Sequence, residues 1–128
     1  KDGNTEVEIW GTGKPRREFL WSEDMADACV FLMENRNFSD TYDVNDKEIR
    51  NTHINIGTGQ DISIKELAEL IKSKFSYSGS LFFNTSKPDG TMIKRTDVSK
   101  LSKMGWKFQM DIEQGIERIR ETYIFSMS

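Results

Sequence analysis

Polar and apolar residues alternate from Glu6 to Trp10, the two-residue period of a half-buried strand. Gly11-Thr12-Gly13-Lys14-Pro15 then breaks regular structure, and Arg17 to Leu20 suits a second short extended piece. Ser22 is placed to cap a helix whose first turn holds Glu23 and Asp24. Met25, Ala28, Cys29 and Leu32 recur at helical spacing and predict a mostly buried helix over about 23–35. Asn35 to Asn51 is polar, rich in Asn and Asp, and reads as a long loop. His53-Ile54-Asn55-Ile56 alternates again, predicting a strand that ends at the Gly57-Thr58-Gly59 turn. Ser63 and Glu66 form a capping box, followed by Ile64, Leu67, Ala68, Ile71 and Phe75 on one face of a helix over 64–75. Ser80 to Phe83 predicts a short strand, and Lys87-Pro88-Asp89-Gly90 a turn inside the loop 84–94. Asp97 caps a short helix to about Met104, ended by Gly105. Asp111 and Gln114 repeat the capping-box spacing before a last helix, Ile112 to Phe125, with Ile112, Ile116, Ile119 and Tyr123 as its apolar stripe. Short strands alternating with about four helices predict an α/β or α+β layer structure.

The chain has 128 residues, enough for one domain burying roughly two-thirds of its unfolded surface. Only 36% of residues are hydrophobic, but aromatics reach 11% and supply large core side chains, which argues against disorder. A formal charge of −3 argues against general nucleic-acid binding. No apolar run reaches the roughly 20 residues of a membrane helix, and no signal-peptide pattern opens the chain. One Cys and one His exclude a disulfide framework, a Cys-based zinc site and a His cluster. The chain opens on Lys1, and its first element begins almost at once at Glu6, as expected of a piece of a longer protein.

Two glycine turns invite a nucleotide reading and fail it. Gly13-Lys14 has Glu8 where a phosphate loop needs its first glycine, and Pro15 where it needs Ser or Thr. Gly57-Thr58-Gly59 has Ile62 where the dinucleotide fingerprint needs its third glycine. A tight turn needing positive φ is the plain reading of Gly57 and Gly59. Cations gather at Lys14, Arg16 and Arg17, and again at Lys87, Lys94, Arg95, Lys100 and Lys103. These are either solvated surface charge or, if two loops converge, an Arg fork and a mobile Lys suited to a diphosphate. Trp10 either fills the core or walls a pocket for a ring. Trp106 suits a core plug, Cys29 inert packing, and His53 a structural place, because no Ser or Cys stands near it as a nucleophile. No carboxylate pair stands out as an acid/base dyad.

Several segments, in order along nearly the whole chain, carry a family likeness. Trp10 to Leu20 (WGTGKPRREFL) resembles the WGxGxPxREF(L/I) segment of the GDP-L-fucose synthase family, among the extended short-chain dehydrogenases/reductases. Glu23 to Ala28 is similar to that family's VDDxAxA helix start, and His53 to Gly59 with Ile64 to Ala68 to its N(I/V)GTG…(K/R)ELA region. Thr85 to Thr91 matches SKPDGT, and Asp97 to Leu101 with Gly105-Trp106 matches DVSRL…LGW. The chain departs from the pattern at Met92-Ile93, where the family has Pro-Arg. It departs again at Arg95-Thr96, where the family has Leu-Leu, and at Trp21-Ser22, where it has Tyr-Val.

The resemblance implies that residues 1–128 are a C-terminal substrate-binding domain, preceded in the parent by a Rossmann domain that binds NADP(H) and holds the catalytic residues. None of that domain's motifs is in this sequence, so no catalytic, cofactor-binding or metal-binding residue is assigned here. The carried-over substrate contacts are Trp10 at the nucleotide-sugar, Arg17 at the diphosphate, Asp89 of SKPDGT, and Lys94 after it. The implied parent is a cytoplasmic, homodimeric, NADP-dependent epimerase/reductase that makes GDP-L-fucose from GDP-4-keto-6-deoxy-D-mannose, with this piece inactive alone. No nucleic acid or membrane partner is implied. Two alternatives stand beside it: another nucleotide-sugar epimerase or dehydratase, or a non-catalytic binding module.

Overall fold

A computed structural model describes residues 5–125. The strands are β1 (Glu6–Trp10), β2 (Arg16–Arg17), β3 (Ile62–Ser63), β4 (Ser80–Asn84) and β5 (Ile93–Lys94). The helices are α1 (Ser22–Asn35), α2 (Ile64–Lys74), α3 (Ser99–Lys103) and α4 (Ile112–Phe125). This is the small mixed α/β arrangement with four helices and short strands that the sequence predicts.

The strands form two sheets. β1 and β4 run parallel in register from Glu6↔Ser80 to Trp10↔Asn84. The second sheet has the order β3-β2-β5: β2 is antiparallel to β3 and parallel to β5, with Arg17 opposite Lys94. The turn between the sheets is seated on α2. Pro15 and Gly13 carbonyls accept the N–H groups of Ile64 and Lys65 at 3.0 and 2.9 Å, first-turn donors that lack intrahelical partners.

Both capping boxes form. Ser63 and Glu66 satisfy each other's backbone N–H groups at the start of α2, as do Asp111 and Gln114 before α4. Asp97 Oδ1 accepts from Ser99 N at 2.9 Å, but the cap position of α3 falls to Val98, one residue after the expected Asp97, with no side-chain cap. At α1 the cap position falls to Trp21, one residue before Ser22, with no side-chain cap.

The core is built from Ala28, Leu101 and Trp106, with Leu20, Phe31, Leu32, Ile54, Ile56 and Phe108 packed against it. Trp106 is the plug the sequence suggests, and its indole N–H donates to Asp27 at 2.8 Å. Asp24 is buried, taking the N–H groups of Gln109 and Met110 at 3.1 and 3.0 Å. Two carboxylates of α1 therefore fasten it to the 106–110 segment.

Three expectations need correction. α1 buries only Asp24 and Ala28, while Met25, Val30, Met33 and Cys29 are exposed, so Cys29 is not core packing. The 53–56 segment forms no strand and belongs to neither sheet among the described residues; Ile54 and Ile56 reach the core all the same. Ile119 and Tyr123 of α4 are about half exposed, so the apolar stripe is buried only around Ile116. The long polar loop contains a 3-10 turn, Phe38–Thr41, boxed by Asn37 and Asp40.

Candidate functional site

β2 and β5 place Arg17 and Lys94 directly across from each other on parallel strands, so their side chains share one face. Both line a cleft of about 490 Å³, with Glu18, Arg95 and Thr96 on its wall. Three cations face one carboxylate there. Arg17 Nη1 is anchored by the carbonyls of Arg16 and Thr91 at 2.7 and 2.6 Å. Its Nε and Nη2 make no hydrogen bond among the described residues, and nor does Lys94 Nζ. Arg95 leans toward Asp61 at 3.6 Å. A half-buried guanidinium and an exposed ammonium with unused N–H groups can take a doubly charged oxyanion.

The other cations of the two basic clusters divide by role. Arg16 is spent on structure: its guanidinium binds Asp61 through Nε and Nη2 and reaches Glu66 at 3.3 Å. Lys100 is spent too, donating to the carbonyls of Thr41, Asn51 and His53 and so tying down the 41–53 segment. Neither is available to a ligand.

Trp10, at the end of β1, and Asp89, midway along the loop 84–94, lie outside the cleft lining. Trp10 is 69% exposed, with the Lys87 ammonium 5.3 Å from its ring centroid. Trp10 is therefore a surface platform and not core. Asp89 Oδ1 and Oδ2 accept from Thr12 N and Oγ1 at 2.8 and 2.7 Å. These bonds hold its carboxyl below the usual carboxylate range. Gly11 makes this approach possible: its φ is +85°, and a Cβ there would overlap Asp89 Oδ1. The loop thus carries Lys87 over Trp10, Asp89 on Thr12, Thr91 on Arg17, and Lys94 into the cleft.

Glu18 was not singled out by the sequence, and it occupies the wall of the cleft. Its Oε1 accepts from Gly59 N at 2.6 Å and Thr58 Oγ1 at 3.2 Å, and its Oε2 from Thr96 N at 2.7 Å. Desolvation disfavours its charge, but the bonds from Thr96, Gly59 and Thr58 outweigh that and hold its pKa low. The same contacts explain the 57–59 turn. Gly59 has φ +70°, as expected, whereas Gly57 is needed because a Cβ would overlap Glu18 Oε1. The Gly59 N–H that a dinucleotide loop would offer to pyrophosphate is already bonded, so this turn does not fit a nicotinamide cofactor. The sequence signal that could have found Glu18 is its place beside Arg17, opposite a glycine turn.

Residues 1–57 match the model of the NAD dependent epimerase/dehydratase family. GDP-L-fucose synthase 1 of Arabidopsis thaliana is 41% identical over 123 residues, covering 96% of this chain and 34% of that protein. The chain is therefore similar to members of this epimerase/dehydratase family over its first 57 residues and to GDP-L-fucose synthases over nearly its whole length. Two solved structures from Campylobacter jejuni superpose on it. A GDP-6-OMe-4-keto-L-xylo-heptose reductase does so with a TM-score of 0.87 and 48% identity, over 95% of this chain and 34% of that one. A GDP-mannoheptose C4 reductase with NADP bound gives 0.82 and 46%, over 94% and 35%. The chain spans about a third of the length of the curated relatives it matches. No described helix is long and apolar enough to cross a membrane.

Proposed function

We propose that this chain is the nucleotide-sugar-binding domain of an NADP-dependent GDP-sugar epimerase/reductase, and that its cationic cleft takes the diphosphate of GDP. The observation that carries this is the Arg17–Lys94 pair, held across β2 and β5 with unspent donors facing one cleft. Arg17 supplies a planar fork anchored at Nη1, and Lys94 a mobile charge. Trp10 offers an exposed ring face, suited to stacking on a base or covering a sugar. Asp89 has used about half of the roughly four acceptor sites of a carboxylate on Thr12, which leaves room for a sugar hydroxyl. Nicotinamide chemistry and catalytic groups belong to the rest of the parent polypeptide, in a Rossmann domain binding NADP(H); NADP supplies the hydride. This domain's share is positional. Contacts to the unreacting nucleotide hold the keto-sugar for the reaction. A homodimeric cytoplasmic enzyme is the assembly we expect, with this domain inactive alone.

The GDP-L-fucose synthases among its relatives favour GDP-4-keto-6-deoxy-D-mannose as substrate, with epimerisation and reduction giving GDP-L-fucose. A second reading has its own support: the two heptose reductases are 46–48% identical to this chain, against 41% for the Arabidopsis synthase. Both readings keep GDP. NADPH consumption by the full-length protein, with GDP-4-keto-6-deoxymannose and then a GDP-4-keto-heptose, separates them. Turnover of neither would overturn the enzyme reading and leave a binding module.

A further inference from the structure

We infer that Glu18 is the positioning residue of the cationic cleft, the joint that sets where Arg17 and Lys94 stand relative to each other. This rests on the reading of the cleft as a GDP diphosphate site. Three backbone segments meet at one carboxylate. Glu18 follows Arg17 directly in the chain. Its Oε2 holds Thr96 N, two residues beyond Lys94, and its Oε1 holds Gly59 N and Thr58 Oγ1 in the 57–59 turn. β2 and β5 are only two residues each, so their ladder alone leaves the register weakly fixed where the strands end. The carboxylate continues the connection between these strands beyond the ladder.

A carboxylate suits this joint for two reasons. It faces donors at both oxygens, so an amide would turn an NH2 group toward a backbone N–H and lose at least one bond. It also adds one negative charge beside three cations, easing their mutual repulsion while no anion is bound. Its oxygens are directed at the Gly59 and Thr96 N–H groups and the Thr58 hydroxyl, so it holds the wall in place without competing for the cations.

The test is a GDP titration of the full-length protein by calorimetry, well below the melting temperature, with Glu18→Gln, Arg17→Ala and wild type side by side. Glu18→Gln is expected to weaken GDP binding about tenfold, the effect of losing one charge-assisted bond. KM for the GDP-sugar should rise with kcat nearly unchanged, a split that a merely structural role would not produce. If Glu18→Gln lowers the melting temperature but binds GDP as wild type does, while Arg17→Ala is weakened, the positioning role is overturned and the diphosphate site stands. If Arg17→Ala also binds as wild type, the site reading itself fails. Should Glu18→Gln not fold, Thr58→Val probes the same joint: GDP binding weaker by about threefold supports the role, and wild-type binding overturns it.

Discussion

Thr12 donates both its backbone N–H and its hydroxyl to Asp89, bonding both carboxylate oxygens across 77 positions of sequence. This pair fixes the loop 84–94 against the turn that follows β1, and Gly11 leaves the space for it. Gly11→Ala is expected to destabilise the fold by more than about 1 kcal/mol, because it meets both a left-handed φ and the Asp89 carboxylate. Thermal melts read this. Asp89→Ala removes both bonds without the clash, so it should lower the melting temperature by less than Gly11→Ala while speeding amide exchange at Thr12.

Asp24 is the most consequential buried polar group. Only 5% exposed, it takes two backbone N–H groups from the 109–110 segment. Asp24→Ala would strand both donors, at a cost of about 2–3 kcal/mol. A denaturant titration of the full-length protein checks this against Glu23→Ala at the exposed neighbouring position, which should cost far less.

Lys100 should behave as an internal strut. Lys100→Met keeps the length and removes the donors to Thr41, Asn51 and His53. Faster proteolysis within 42–51, with GDP affinity unchanged, is the expected outcome; altered GDP affinity would place Lys100 at the ligand after all.

Acid should loosen the cleft and its turns together. Bonds from Ser63 at Glu66, from Thr12 at Asp89 and from Ser99 at Asp97 hold these carboxyls low, as Glu18 is held low against its own desolvation. A depressed folded pKa adds stability that is present above the unfolded value and lost as pH falls through the folded one. Stability is therefore expected to be level above about pH 5 and to fall from about pH 4 downward. Glu18→Gln should flatten that fall, as followed by melting temperature against pH.

How much of this was legible in the sequence depended on where the decisive partner lay. Caps were readable because their partners are three residues apart, as at Ser63–Glu66 and Asp111–Gln114. α2 and α4 followed from caps plus periodicity. The 53–56 segment was misread as a strand because alternation records which side chains are buried, whereas a strand also needs a neighbour to pair with. Of the candidate site, the residues alone show Arg17 and Lys94 only as members of two basic clusters, and the family resemblance names both; their meeting depends on a two-residue ladder that no local pattern announces. Arg16 and Lys100 looked like the same kind of charge, and only distant partners, Asp61 and the 41–53 carbonyls, distinguish them. The roles of Glu18, Asp24 and Asp27 do not show in the sequence because the groups they hold lie 40 to 86 positions away.

The exposed Trp10 ring under Lys87 gives an optical handle. GDP settling near this end of the loop is expected to quench tryptophan fluorescence in the full-length protein, and Trp10→Phe to abolish most of the change. A quench that survives Trp10→Phe would assign the signal to Trp21 or Trp106 instead.

The central claim is that Arg17 and Lys94 together receive the diphosphate. Its most direct test is GDP affinity of the full-length Arg17→Ala/Lys94→Ala protein at low and high salt. Affinity should drop at least about tenfold at low salt, and most of the wild-type salt dependence should vanish. Wild-type affinity with an unchanged salt response would contradict the account.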